Sequence, residues 1–316
     1  MPIAPEKHRP EDLWIEPCPP SGSGCHRWMY KACSTLAATG ASDEAIISWV
    51  SHWLSRPEQP GEITNTLNTV RARLSGKDTE KIAVRVSGLA VNEYKIDEMT
   101  KEGPTAMAFF MDRSPIDPAK ATIGDALRAL YRPEEKTLIF TNERSQGQLV
   151  WHSGVPDYAL EYTIAVNEKG AWFTMNPVNG VFTHIPRLGK KSRRSEENLT
   201  AYRYALVESD NLPVPLWLTI IKQLSLPIAS ITLSGNESAH ALILLDATSR
   251  EDWISKANEL AKLVIPLGAC QGSLTSVRLT RLPGVCRGDN QNSQKLLWLN
   301  PTPSSTPIQN FPLRTK

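Results

Sequence analysis

A small all-α module followed by a larger α+β domain is the fold class this sequence predicts. Three observations carry it. Up to about residue 78, apolar residues recur at helical spacing between capping residues and glycine stops. From Ile82 onward the texture changes to short apolar runs of strand length mixed with helical patterns. In the last third these fall in the order strand, helix, hairpin, helix.

The first stretch, residues 1–24, is rich in Pro, Ser and Gly and reads as a flexible N-terminus. Residues 25–78 read as a helical module. His26 to Ala38 spaces Trp28, Met29, Cys33 and Leu36 along one helix face and stops at Gly40. Ser42 caps a second helix carrying Ile46, Ile47, Val50 and Leu54. Pro60-Gly-Glu opens a third, with Ile63, Leu67 and Val70, ending at Gly76. In residues 79–303, the runs Ile82–Val86, Ala106–Phe110, Thr137–Phe140 and Ala171–Met175 read as strands. Thr122 to Leu130 reads as a helix with Thr122 near its N-cap. Residues 201–208 alternate as a strand, and Pro213 opens a helix bearing Trp217, Ile220, Ile221 and Leu224. Ile228–Leu233 and Ala239–Leu245 flank Ser234-Gly-Asn as a hairpin. Ser249 caps a helix with Trp253, Ala257, Leu260 and Val264. Residues 304–316, rich in Pro, Ser and Thr, read as a flexible tail.

With 316 residues, 41% of them hydrophobic and 22% charged, the chain can bury a sizeable core. A net charge of +2 does not by itself signal a nucleic-acid binder, which would need its basic residues gathered on one face. Five irregularly spaced cysteines do not make a disulfide framework, and no apolar run reaches membrane-spanning length. The expectation is a cytoplasmic protein without a membrane partner.

Glu208 and Asp210 stand two apart at the end of a strand pattern, which sends both side chains to one face. Two like charges so close repel, and a bound Mg²⁺ or Mn²⁺ would relieve the repulsion and clamp a nucleoside triphosphate for in-line phosphoryl transfer. The bland alternative is a solvated strand end. His240, just after the hairpin turn, can donate to a phosphate oxygen or serve as a structural histidine. Ser234 and Asn236 lie in a turn that could offer donors to phosphate or simply reverse the chain. Arg278, Arg281 and Arg287 supply positive charge suited to bidentate phosphate contact. Lys190, Lys191, Arg193 and Arg194 form a second basic cluster, read as a loop that touches a nucleic-acid backbone or is merely solvated.

Taken in order, Glu208-Ser-Asp210, Ser234-Gly-Asn-Glu-Ser-Ala-His240, Arg278-Leu-Thr-Arg-Leu-Pro-Gly-Val-Cys-Arg287 and Leu296-Leu-Trp-Leu-Asn-Pro301 resemble the archaeo-eukaryotic primase superfamily. The likeness is to primase-polymerase-like proteins of phages, plasmids and integrated mobile elements, and spans about residues 105–301. Residues 25–78 resemble the helical module that often accompanies such cores. The resemblance implies an RRM-like catalytic core that synthesises primers on a single-stranded DNA template. It implies metal at Glu208 and Asp210, nucleotide phosphate at His240, Arg278 and Arg281 near the nucleotide or template, and a replicative helicase or other replication protein as a partner.

One departure stands out. The family supplies a third acidic residue before the arginine segment, and Gly268–Val277 contains none. Asp246 is the nearest substitute, six positions along the strand from His240, roughly 20 Å away. That gap motivates a second reading, a catalytically weak or inactive primase-like module that binds DNA or nucleotide and recruits replication proteins. Cys18, Cys25, His26 and Cys33 do not follow a zinc-finger spacing. Gly-Lys-Lys-Ser192 lacks the upstream glycine of a phosphate loop. The scattered six histidines give no pair for a tyrosine-dependent nicking enzyme.

Overall fold

The structure is a computed structural model. It describes residues 8–13, 15–21, 24–74, 89–141, 147–151, 166–167, 170–185, 190–235, 238–287 and 292–314. The strand expected at Ile82–Val86 lies outside the described residues. The chain divides into two compact units, residues 1–81 and 82–316.

The first unit is built on α1 (Cys25–Ala38), α2 (Asp43–Trp53) and α3 (Glu62–Leu74). Ser42 caps α2 by accepting the Ala45 N–H. Met29, Leu36, Ile46, Val50, Ile63, Leu67 and Val70 form the core, and Trp28 stacks on Trp49 at 6.2 Å. Part of the segment before Gly24 belongs to this core. Leu13 and Ile15 are buried in it, after a 3-10 turn over Glu11–Leu13. The reason is polar: buried indole N–H groups need acceptors. Trp28 donates to the Glu16 carbonyl at 2.5 Å and Trp49 to the His8 carbonyl at 2.7 Å. Among the cysteines, Cys33 faces this core and burial pushes its thiol up to about 12, which disfavours the thiolate a metal would need.

The second unit mixes helices and sheets. In chain order it contains α4 (Glu93–Thr100), α5 (Met107–Arg113), α6 (Ile123–Leu130), β1 (Lys136–Phe140), β2 (Gln148–Trp151), β3 (Val166–Asn167), β4 (Trp172–Thr174), β5 (Thr183–Ile185) and β6 (Lys190–Ser192). Then follow β7 (Tyr202–Val207), α7 (Val214–Gln223), β8 (Ile228–Leu233), β9 (Ala239–Ala247), α8 (Arg250–Val264), β10 (Leu279–Arg281), β11 (Cys286–Arg287), β12 (Asn292–Ser293) and β13 (Leu296–Leu299). Two four-stranded antiparallel sheets dominate, ordered β13-β8-β9-β7 and β10-β4-β1-β2.

The first of these sheets, with α7 and α8, has a β-α-β-β-α-β element order. It differs from the RRM-like expectation in one pairing: β13 joins the edge of β8, not that of β7. Trp217, Leu218, Ile220 and Ile221 of α7 and Trp253, Ala257 and Val264 of α8 share the core with Leu206, Ile231 and Ile243 of this sheet. Thr122 and Asp125 make a reciprocal capping box at α6, and Ser249 caps α8.

Two expectations are corrected. Ala106–Phe110 is not a strand, since residues Met107–Arg113 form α5. Five apolar residues in a row carry no period, and Ala and Met favour helix. The helix also lets Arg113 stack on Phe109 four residues back, 4.2 Å from its ring centre. The segment from Ser304 on is not a loose tail across its described part. Ile308 is buried, Phe311 packs edge-on to Trp298 at 4.9 Å, and Arg314 pairs with Asp117 at 2.7 Å.

Arg203 of β7 makes a two-pronged pair with Glu135, at 2.5 and 2.7 Å, with both side chains about nine-tenths buried. Truncating one partner strands the other in a dry site. Arg203→Ala is therefore expected to lose about 3–5 kcal/mol, read by urea denaturation of the full chain.

Candidate functional site

The site is built at the end of β7. Val207 pairs with Ala241 in the antiparallel β7–β9 register, so the next position sets Glu208 opposite His240. On the other side of β9, His240 pairs with Thr232 of β8. Opposed residues in a ladder share a face, and the two side chains meet: Glu208 Oε2 lies 2.9 Å from His240 Nε2. The second carboxylate oxygen, Oε1, receives Arg278 at 2.7 Å. His240 Nδ1 lies 3.2 Å from the Thr280 hydroxyl. Thr280 belongs to β10, and Arg278 directly precedes it, so both reach in from the second sheet. The result is a chain of contacts, Thr280–His240–Glu208–Arg278, across the seam between the sheets.

Burial decides the electrostatics of this chain. Glu208 and His240 are 4% and 7% exposed, whereas the Arg278 side chain is 42% exposed. Burial alone would raise the Glu208 carboxyl, but the hydrogen bond and charge of His240, then the charge of Arg278, bring it down to about 2. Glu208 is thus a fixed anion with both oxygens engaged, and Arg278 is its lid toward solvent.

Asp210 does not share this setting. β7 ends at Val207, so the face-sharing argument for Glu208 and Asp210 fails. Ser209 is buried and donates to the Gly268 carbonyl at 2.7 Å, which turns the chain and leaves Asp210 exposed. The Asp210 backbone N–H donates to Cys270 Sγ at 3.2 Å, and the Cys270 N–H donates to the Glu208 carbonyl at 2.8 Å. Cys270 therefore stands beside both acids, inside the segment where a third acid was expected. Its thiol is raised, chiefly by burial, and adds no negative charge.

Asp246 is excluded as the third acid by register. It sits toward the Tyr202–Ala247 end of the β7–β9 ladder, away from the Val207–Ala241 end, with φ at 42° in the left-handed region. There it lines a cleft of about 470 Å³ with Arg203 and Pro301. Among the described residues no three His, Cys, Asp or Glu side chains gather closely enough to hold an ion. The donor set as arranged does not fit a divalent cation: Glu208 is capped on both oxygens, and Asp210 is exposed where Glu208 is buried.

The remaining expected site residues separate. Arg281 lies next to Thr280 along β10 and so leaves the opposite face, where its guanidinium stacks 4.4 Å from the Trp172 ring centre. Ser234 accepts the Ser238 N–H on its hydroxyl and donates its own N–H to the Ser238 carbonyl, closing the hairpin loop. Asn236 lies outside the described residues. Arg287 pairs in β11 with Asn292 of β12 and Asn167 of β3. Lys190 and Lys191 are not in a loop but in β6, paired with β5. Arg194 lies over the Phe140 ring at 5.7 Å, and Arg193 lies over Phe182 at 4.4 Å. Sequence reading missed Thr280 and Cys270. The first could have been found from its place between Arg278 and Arg281, two residues on from Arg278 on the same strand face.

No protein-family profile and no curated protein matches the chain. Among solved structures the chain is similar to the AEP domain of the cyanophage S-2L primase-polymerase, at 14% sequence identity and a TM-score of 0.37, over 59% of this chain and 94% of that one. Among the described residues no helix is long and apolar enough to cross a membrane.

Proposed function

We propose that this chain is a primase-like nucleotidyltransferase core that engages a nucleoside triphosphate at Arg278 and single-stranded DNA as its template, with weak transfer activity. One observation carries the reading: Glu208, His240 and Arg278, far apart in sequence, meet in a single network with Glu208 and His240 buried and Arg278 at its solvent edge. Arg278 is the outward member and keeps guanidinium donors beyond the one given to Glu208, in the geometry that phosphate oxygens accept. His240 has both ring nitrogens turned inward, on Glu208 and Thr280. It acts by holding Glu208, and Glu208 in turn aims Arg278. The acidic half of the site is reduced, because Cys270 stands beside Glu208 and Asp210 where a carboxylate would complete the set.

The test separates binding from transfer. In titrations with a fluorescent nucleoside triphosphate, Arg278→Ala is expected to weaken binding about tenfold or more, the loss of a charge-assisted hydrogen bond of about 1.5–3 kcal/mol. On single-stranded DNA with Mg²⁺ or Mn²⁺, wild type is expected to make scarce product. The stronger reading, a fully active primase-polymerase of a mobile element, is favoured by Asp210, whose carboxylate is exposed two residues from Glu208, but it requires Arg278 to release Glu208 and the Ser209–Asp210 turn to rearrange. Abundant primer synthesis that Glu208→Ala with Asp210→Ala abolishes would establish it. Unchanged nucleotide affinity in Arg278→Ala would sink both.

A further inference from the structure

Strands β5 and β6 form a two-stranded antiparallel hairpin in which Thr183 pairs with Ser192, His184 with Lys191 and Ile185 with Lys190. Alternation along β5 puts Ile185 on the buried face and His184 on the exposed one. Phe182, two residues before His184, leaves the same face as His184. Its cross-strand neighbour is Arg193, whose guanidinium covers one face of the ring at 4.4 Å. Lys191, opposite His184, is exposed. One exposed face of this hairpin therefore carries Phe182, His184, Lys191 and Arg193 side by side.

Phe182 is 58% exposed and its neighbour Val181 59%. An isolated surface phenylalanine needs no explanation, but this one is held in place. Arg193 fixes one ring face while its Nη2 donates to the Gly147 carbonyl at 2.8 Å. That leaves a presented π-face, backed by a cation and flanked by Lys191. Bases stack on such faces without sequence preference, and the phosphates beside them are met by the basic residues. Duplex DNA keeps its base faces internal and cannot use the ring.

We infer that the β5–β6 hairpin is a single-stranded nucleic-acid platform, with Phe182 stacking one base and Lys191 and Arg193 meeting the backbone. The occupant is chosen by charge and by the free aromatic face together: an acidic peptide would satisfy the cations but leave the ring unused. The identity of the ligand rests on the DNA-binding reading above, while the hairpin itself lies outside the Glu208 network.

The experiment is fluorescence anisotropy of the full chain with a labelled oligothymidine of about twelve nucleotides, a length in the range of single-strand sites. Nucleotide and divalent ion are left out. Phe182→Ala is expected to weaken single-strand binding about tenfold, with Phe182→Trp restoring it, since a base–aromatic stack contributes roughly 1–3 kcal/mol. Lys191→Gln is expected to lower the slope of log affinity against log salt by about 0.7. Wild-type affinity for a duplex of equal length should be insensitive to Phe182→Ala. Because Phe182 is exposed, unchanged thermal melting of Phe182→Ala will show that the fold is intact. Equal single-strand affinity for wild type and Phe182→Ala overturns the platform, as does an equal loss on duplex. So does a change in oligomeric state on truncation with DNA binding untouched. Nucleotide affinity unchanged by Arg278→Ala, with single-strand binding still dependent on Phe182, overturns the proposed nucleotide site and leaves the platform standing, whereas the converse removes only the platform.

Discussion

Glu208→Ala is expected to destabilise the protein by about 3–5 kcal/mol, because it removes the one anion that a buried histidine and a guanidinium share. Glu208→Gln keeps the shape and one acceptor and is expected to cost less. Wild type and Glu208→Gln also part in their response to pH. The Glu208 carboxyl lies near 2 in the folded protein against an ordinary 4.5. A depressed carboxyl contributes stability that is present above its unfolded value and lost as pH falls toward its folded one. Wild type should thus lose up to about 3 kcal/mol from this group as pH drops from 4.5 to 2. Glu208→Gln should lack that component. Urea midpoints measured from pH 7 down to pH 3 check both points. A wild-type curve that parallels Glu208→Gln throughout would mean the carboxylate is not held by its partners in solution.

Much of each unit's frame was legible from local signals. Ser42, Thr122 and Ser249 cap the helices expected of them, because a side-chain acceptor ahead of a periodic apolar run is a strictly local device. The hairpin of β8 and β9 follows from two apolar runs around Ser234-Gly-Asn, and its register brings His240 to the end of β7. What escaped the sequence is non-local. Nothing in Ala106–Phe110 says whether its neighbours offer a sheet edge or a core groove, and a groove received it as a helix. The separation of Arg278 from Arg281 depends on the pleat of β10, visible only once Leu279–Arg281 is known to be a strand. Ser209 illustrates the same limit. Its bond to Gly268 turns the chain out of β7 and divides Glu208 from Asp210, although their spacing suggested a shared face. The basic cluster at Lys190–Arg194 was visible as composition. Its aromatic partner, Phe182, was not, because a hairpin register joins them.

Cys270→Asp is expected to make the stability of the protein respond to a divalent cation. In the wild type the Cys270 thiol is raised, chiefly by burial, and stands neutral between the Asp210 N–H that it accepts and the Glu208 carbonyl that its own N–H meets. Aspartate is close to cysteine in reach, so the substitution sets a third carboxylate beside Glu208 and Asp210 with the backbone bonds unchanged. A further carboxylate beside two acids adds like-charge repulsion, and the variant alone should melt below wild type. A divalent cation relieves that repulsion in the folded state only. At about 100 times its dissociation constant it would return about 2.7 kcal/mol, roughly 5–10 °C in the melting midpoint for a unit of this size. Mn²⁺ should therefore raise the midpoint of Cys270→Asp while leaving wild type and Cys270→Ser unmoved. Primer synthesis should rise in step if the acidic half of the site is what limits transfer. A midpoint in Cys270→Asp that ignores Mn²⁺ would mean that Arg278 holds Glu208 against any cation. In that case the double variant with Arg278→Gln should recover the response, because the carboxylate oxygen now engaged at 2.7 Å would be free to share the ion.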